Sequence, residues 1–386
     1  MEDESDVVSR VLRVGIPVSL SGQFRVQGQQ ALAGLQAWAE DVNRSGGICV
    51  SGAGYSLPVS IIYHDDASSR DRVRQVTEQL IVSDKVDLLM GPYSSVLSQA
   101  SAEVAEGHRT VFWNQGGASD SIYQQDYRWA VGILTPASEY LTGLFPMVKE
   151  IAPQAQTLAI VRSPAGSFPK AVSEGAGRRA EQLGFKVVLR CEYPPETTDF
   201  SAIINEVSQA QPDILLAVGR IQNDLLLACQ MAQSRLSLGV AAVVAAPVQQ
   251  FHDVLGTQAK GFVGPSQWEP GAGYAVDYGP SEQQVLKSLR RQGNYSIDYP
   301  MAQAYAAGVV VQRCIDEAGT LDQRALREAA SKLDFSTFYG RFKIDPDTGR
   351  QTGRSVVIVQ RQEGRKVVVW PPEQRQAQLR YPWRGK

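Results

Sequence analysis

The chain has 386 residues, 43% hydrophobic and 20% charged, with a formal net charge of −2. That is an ordinary globular composition, long enough for two domains. With no basic block or stripe and no apolar run near the ~18–20 residues that span a bilayer, it gives no sign of nucleic-acid binding or of a membrane span. The first ten residues, MEDESDVVSR, have neither the basic nor the apolar region of a signal peptide. The chain therefore reads as cytoplasmic, or as an exported protein whose signal is not in this sequence.

Strand and helix alternate from the start. Residues 11–20 (VLRVGIPVSL) form an apolar strand run. After a Ser-Gly-Gln loop, Leu32, Leu35, Trp38, Ala39 and Val42 recur at helical spacing across 27–43, and Ser45-Gly46-Gly47 ends that helix. Residues 57–63 are strand, closed by His64-Asp65-Asp66. Helix 71–83, strand 86–90, helix 95–106 and strand 110–113 follow. Near-continuous apolar strands alternating with helices predict a parallel sheet covered on both faces.

The pattern then restarts. Strands are expected at 157–161, 186–191, 213–218 and 240–245, with another opening at 261. Helices are expected at 171–183, 200–209 and 224–233. Two doubly wound α/β units of about 120 residues each result, a usual domain size. Beyond them, 282–291, 301–318 and 322–333 are helical. Asp345-Pro-Asp-Thr-Gly reads as a turn between two strands, and the segments FYGRFKIDPDTGRQTGRSVVIVQ and GRKVVVWPP would finish the second unit.

Ligands of doubly wound sheets bind beyond the C-terminal strand ends. Those ends carry Ser19–Gln23, Tyr93-Ser94-Ser95, Asn114–Ser119, Ser163–Phe168 and Arg220–Asp224. They are mostly small, polar or aromatic. Gly116-Gly117 would let a backbone approach a ligand. A helix starting at Ser95 offers a hydroxyl and free N–H groups to an anion; the alternative is that Ser94 or Ser95 is a plain N-cap.

Cys49, Cys191, Cys229 and Cys314 are far apart and read as small buried residues, and the three histidines show no metal spacing. No metal or cofactor is expected. There is no catalytic motif of the GxSxG, HExxH, Walker A or dinucleotide-binding type. Asp65-Asp66 is the best carboxylate pair, but adjacent strand residues point to opposite faces, so a turn or cap role is expected. The chain is expected not to be an enzyme.

The stretch VGIPVSLSGQFRVQGQQALAGLQAWAEDVNRSGGI resembles the opening of type I periplasmic solute-binding proteins. Within them it is most similar to the leucine/isoleucine/valine-binding receptors of ABC importers. Ser21-Gly22, Gly28 and Asn43–Ile48 carry that start. YHDDAS, MGPYSSVLSQASAEVA, AKGFVGPSQWEP and FYGRFKIDPDTGR fall in order behind it. The resemblance implies two α/β lobes joined by three crossing strands, with ligand trapped between them by hinge closure. It places lobe one at 11–133 plus 269–336, lobe two at 134–268 plus 337–375, and a tail at 376–386.

The resemblance also implies site residues. Ser95 matches the serine that holds an amino-acid carboxylate. Gly116, Gly117, Ala118 and Ser119 match a strand-end loop that grips the ligand, with Gln115 leading into it. Phe168 stands where the family usually has tyrosine, and Gln27 and Ile221 stand at or near two further tyrosine positions. The acid that holds the ligand ammonium is missing from 244–248, which leaves Asp224 as its substitute. The family disulfide is absent too, with Ser94 at one cysteine position and Cys49 alone. Ser21, Phe24, Tyr93 and Trp268 complete the candidate ligand-binding set, and Trp113, Phe24, Phe168 and Trp268 would supply an apolar wall.

The expected function is an extracytoplasmic receptor, periplasmic or lipid-anchored. Its small ligand would carry a carboxylate: an amino acid, a related aromatic or aliphatic acid, or an amide. Its partner would be an ABC permease. The alternative is a cytoplasmic sensor of the amide-responsive type with the same fold. Losing the acid and two tyrosine hydroxyls disfavours an α-ammonium group, because a buried ammonium without a partner is costly.

Overall fold

The computed structural model describes residues 10–293 and 296–383. Nine of the first ten residues and the end of the tail therefore lie outside the described residues. The chain divides into two compact units. The first holds the described residues up to Leu134 with Tyr274–Arg354, and the second holds Thr135–Gly273 with the residues from Ser355 onward. The chain passes between them three times, each time in residues outside helix and strand.

The first unit begins with β1 (Leu12–Val18) and α1 (Arg25–Arg44), followed by a small hairpin, β2 (Ile48–Val50) and β3 (Tyr55–Leu57). Then come β4 (Val59–Asp65), α2 (Arg70–Val82), β5 (Leu88–Met90), α3 (Ser95–Gly107), β6 (Phe112–Asn114) and β7 (Ala130–Gly132). In β1 every residue but Arg13 is buried, and β5, β6 and β7 are buried throughout. Strands covered on both faces are apolar along their length rather than alternating. They form one parallel sheet in the order β4-β1-β5-β6-β7.

The second unit runs α4 (Leu144–Ile151), β8 (Thr157–Arg162), α5 (Ser167–Gln182), β9 (Lys186–Glu192), α6 (Ser201–Ala210), β10 (Ile214–Val218), α7 (Ile221–Gln233), β11 (Val240–Val243), α8 (Gln249–Leu255) and β12 (Val263–Ser266). The chain returns to the first unit with α9 (Glu282–Arg290), α10 (Tyr299–Ala318), α11 (Gln323–Lys332), β13 (Phe335–Thr337) and β14 (Gly340–Phe342). It closes in the second with β15 (Val357–Gln362) and β16 (Arg365–Trp370). The second sheet has the order β16-β15-β12-β11-β10-β8-β9, parallel from β9 to β12 and antiparallel beyond.

Both parallel sheets thus wind outward from an inner pair, β1 beside β5 and β8 beside β10. These are the topological switch points, where the connections diverge and leave room for a ligand.

Two expectations about the C-terminal region fail. Residues 337–354, expected in the second lobe, belong to the first unit. Gly132 N–H donates to Gly349 O at 2.8 Å, and Arg327 Nη2 donates to Pro346 O at 2.9 Å, which ties the Asp345–Gly349 turn to β7 and α11. That turn joins β14 to a single bridge between Ile344 and Gln351. The hairpin that completes the second sheet is β15–β16 instead. Its two-residue turn, Glu363-Gly364, has φ of 46° and 74°, the paired positive values of a tight hairpin turn. The reading of the cysteines as buried holds for Cys314 alone; Cys49 is exposed, and Cys191 and Cys229 are partly buried.

Candidate functional site

In the first unit the loops after β1 and β5 flank the switch point. The loop after β1 is built by Asp65 and Asp66. Asp65 Oδ1 accepts from Leu20 N–H at 2.9 Å and from Ala67 N–H at 2.8 Å, and its Oδ2 accepts from the Ser21 hydroxyl at 2.8 Å. Burial alone would raise the Asp65 pKa, but these donors outweigh it and hold the carboxyl below its usual range. Asp66 is fully buried, accepting from the Ser19 hydroxyl at 2.6 Å and from Ser68 N–H at 2.7 Å, and burial pushes its pKa up. Both carboxylates are thus loop clamps, as their turn-like sequence suggests. The exposed Ser21 uses its hydroxyl on Asp65, and Gln27 is buried within the first turn of α1.

The loop after β5 answers the capping question. Ser94 is the N-cap of α3, accepting from Leu97 N–H at 3.4 Å with φ of 88°. Ser95 is the first helical residue, and its hydroxyl oxygen accepts from Ser119 N–H at 3.0 Å. The Ser95 O–H proton remains available to donate. The N–H groups of Ser95 and Val96 face out of the first turn without an acceptor among the described residues.

The Gly116-Gly117 loop is placed by packing. A Cβ on Gly116 would lie 2.1 Å from Pro92 O, and one on Gly117 would lie 2.4 Å from Ser98 Cβ. The glycines let this loop pack against the loop after β5, so the expectation that they admit a ligand gives way to a structural cause. Asn114 holds the same loop by accepting Gly117 N–H at 2.9 Å and donating to Gly117 O at 2.7 Å. Gln115 is buried and donates to Gly91 O at 2.6 Å; Ala118 and Ser119 are buried as well. Of this stretch, therefore, none is exposed.

Aromatic residues gather at the same end. Phe24, the residue before α1, meets Tyr93 edge-on at 6.0 Å, and the Tyr93 hydroxyl lies 2.8 Å from the Tyr299 hydroxyl at the start of α10. Val26 and Val96, on the first turns of α1 and α3, are 45% and 43% exposed. Trp113 is a fully buried residue of β6 and belongs to the core rather than to a ligand wall.

In the second unit the loops after β8 and β10 flank the switch point. Helices α5 and α7 start there with no side-chain cap, as α1 does in the first unit. Phe168, on the first turn of α5, is partly buried and meets Tyr140 edge-on at 5.3 Å. Ile221 opens α7 and is partly exposed. Trp268, expected to line the site, is 1% exposed.

Asp224 is the expected substitute for the missing acid, and the structure turns it inward. It is 1% exposed, and its Oδ2 accepts Ala245 N–H at 3.1 Å. Burial pushes its pKa well above the usual carboxylate range, against the pull of the Ala245 and Gly219 N–H groups. The loop at 244–248 is held from its other end by Arg361, which donates to the carbonyls of Ala246, Pro247 and Val248.

Sequence reasoning passed over three residues at these ends. Tyr299 arrives from a distant helix, which no local pattern could have placed. Arg25 opens α1 and Arg220, named above only as part of a strand end, precedes α7; both are exposed with no ion pair among the described residues. An arginine at a strand-to-helix turn was the available signal for both. Among the described residues no cluster of His, Cys, Asp and Glu could hold a metal, and no helix is long and apolar enough to cross a membrane.

Each unit is a doubly wound α/β sheet, and the chain passes between the two units three times. The chain belongs to the periplasmic binding protein family, whose sequence profile matches residues 11–366. The family is one of extracytoplasmic solute receptors of transport systems, not of enzymes. The chain is 21% identical to Leu/Ile/Val-binding protein homolog 7 of Brucella abortus over 395 residues, covering 96% of this chain and 94% of that protein. It shares its fold with a leucine-binding protein, LivK, of Thermotoga maritima, at a TM-score of 0.79 and 16% identity over 93% of this chain and 97% of the other. It shares it also with an ABC-transporter solute-binding protein of R. palustris in complex with benzoate, at a TM-score of 0.76 and 17% identity over 93% of this chain and 96% of the other.

Proposed function

We propose that the protein is the extracytoplasmic receptor of an ABC importer. It takes a small carboxylate without an α-ammonium group, aromatic in preference, and delivers it to a permease after closing on it by hinge motion. The observation that carries this reading is an imbalance at the strand ends. Donors abound: the helix starts of α1, α3, α5 and α7, the Ser95 hydroxyl, and the exposed Arg25 and Arg220. The nearby acids are engaged: Asp65 and Asp66 bond the loop after β1, and Asp224 bonds Ala245 past β11.

A carboxylate suits such donors, because charge-assisted bonds to arginine and to helix N-termini are the strong ones. An ammonium would need a carboxylate partner to repay its lost hydration, and Asp65, Asp66 and Asp224 are already engaged. Phe24, Tyr93, Val26 and Val96 in the first unit, and Phe168 and Ile221 in the second, offer apolar contact. Benzoate in the R. palustris protein and leucine in the name of LivK mark two ligand classes among proteins of this fold. The balance of donors favours the first for this chain. Calorimetry with benzoate and leucine separates them: benzoate should bind more tightly, and tighter leucine binding would contradict the reading.

A further inference from the structure

Three strand ends of the second unit meet around Gly219. A Cβ placed on Gly219 would lie 2.1 Å from the Tyr193 hydroxyl oxygen and 2.8 Å from Asp224 Oδ1, so both oxygens press on the same bare Cα. Tyr193 directly follows β9, is 2% exposed, and its hydroxyl has no hydrogen-bond partner. Asp224 stands in the first turn of α7. Its Oδ2 is fixed by Ala245 N–H just past β11, while its Oδ1 is buried without a partner. The groups that face the carboxyl are the Tyr193 hydroxyl and the N–H groups of Gly219 and Ala245; no Lys, Arg or His among the described residues acts on it. A carboxylate ion in that setting is costly, whereas a neutral acid is not. A neutral acid also carries a proton on Oδ1 that the unpartnered Tyr193 hydroxyl oxygen can accept.

We propose that Asp224 is a positioning residue that works as a neutral carboxylic acid, its proton on Oδ1 toward Tyr193, and so fixes the ends of β9, β10 and β11 in the arrangement that binds ligand. Its effect on binding rests on the solute-receptor reading; its protonation does not. Asp224 sets one end of the 244–248 loop while Arg361 sets the other, and it shares the first turn of α7 with the ligand-facing Ile221. Burial raises the pKa of both Asp224 and Tyr193, which agrees with two neutral partners. The sign follows: in the unfolded chain Asp224 ionises in the usual carboxylate range, but in the fold only well above it. Its stabilising contribution is full below the usual range and is lost as pH rises through the raised folded value.

The test is carbon NMR of protein labelled at the aspartate carboxyl carbons, titrated from acid to mildly alkaline pH. A carboxyl signal that Asp224→Asn removes should stay in the acid form after the exposed aspartates have ionised; Asp66→Asn and Asp298→Asn identify the signals of the other two buried aspartates. If Asp224→Asn instead removes a signal that titrates in the usual range, the proposal is overturned. Binding gives the second readout, with benzoate as the probe. Wild-type binding should decline as pH rises through the raised Asp224 value, whereas Asp224→Asn, which keeps an acceptor for Ala245 and a donor toward Tyr193, should bind as wild type does at low pH and show no such decline. Asp224→Ala should weaken binding about tenfold. Equal losses in both variants would overturn the neutral-acid role. Wild-type protein that does not bind benzoate would count against the ligand reading alone, and the NMR titration would still decide the state of Asp224.

Discussion

The Ser95 hydroxyl accepts a hydrogen bond from the backbone N–H of Ser119, 24 residues along the chain, at 3.0 Å. This contact ties the start of α3 to the loop after β6. Ser95→Ala leaves a buried N–H without an acceptor, which costs about 1–3 kcal/mol. Chemical denaturation should show that loss in ligand-free protein. The same variant should bind ligand more weakly, because the loop it anchors shifts and the hydroxyl donor is gone. Unchanged stability would show that Ser119 N–H finds another partner.

On the proposed reading, Arg25 and Arg220 bind the ligand carboxylate. Both are exposed, so Arg25→Ala and Arg220→Ala should leave the melting temperature nearly unchanged. Each should weaken benzoate binding by about 1.5–3 kcal/mol, or roughly 10- to 150-fold, the usual value of a hydrogen bond to a charged group. Equal binding by both variants would remove the arginines from the site.

Gly116 and Gly107 make a matched pair. A Cβ on Gly116 meets Pro92 O at 2.1 Å, whereas one on Gly107, the last residue of α3, meets nothing within 4 Å. Gly116→Ala should therefore destabilise by more than about 2 kcal/mol through backbone displacement, while Gly107→Ala should be neutral or stabilise by up to about 1 kcal/mol. Thermal melts of the two variants decide it.

The alternation of apolar strands and amphipathic helices made the fold legible in the sequence. The buried run is continuous in β10, spans the four central residues of β8 and is interrupted in β1 only by Arg13, and α1, α2, α3 and α7 carry clear helical spacing. What escaped had a physical reason. β2, β3 and β7 are three residues each, too short to show a period. Asp345–Gly349 carries a stronger turn signal than Glu363-Gly364, yet the second closes the hairpin of the sheet, because the first is tied to β7 and α11 by long-range hydrogen bonds. At the site the strand-end loops were legible, since glycine, serine and polar residues follow apolar runs. The direction each side chain takes was not. Asp224, Trp113 and Trp268 look like site residues in a string of letters, but burial removes their side chains from solvent.

Hinge closure is the step that would couple binding to delivery. Saturating benzoate should lower the radius of gyration measured by solution X-ray scattering. An unchanged radius at saturation would argue against closure while leaving ligand binding intact.

On this reading the strand ends bind a carboxylate and leave an α-ammonium group unpaired. Calorimetry on one matched pair tests it most directly: 3-phenylpropionate against phenylalanine, which differ by the α-amino group alone. Phenylpropionate should bind at least about tenfold more tightly, since burying an ammonium without a partner costs more than the ~1.4 kcal/mol that tenfold represents. Tighter binding of phenylalanine would contradict the account and make the protein an amino-acid receptor whose acid is supplied by a residue now turned inward.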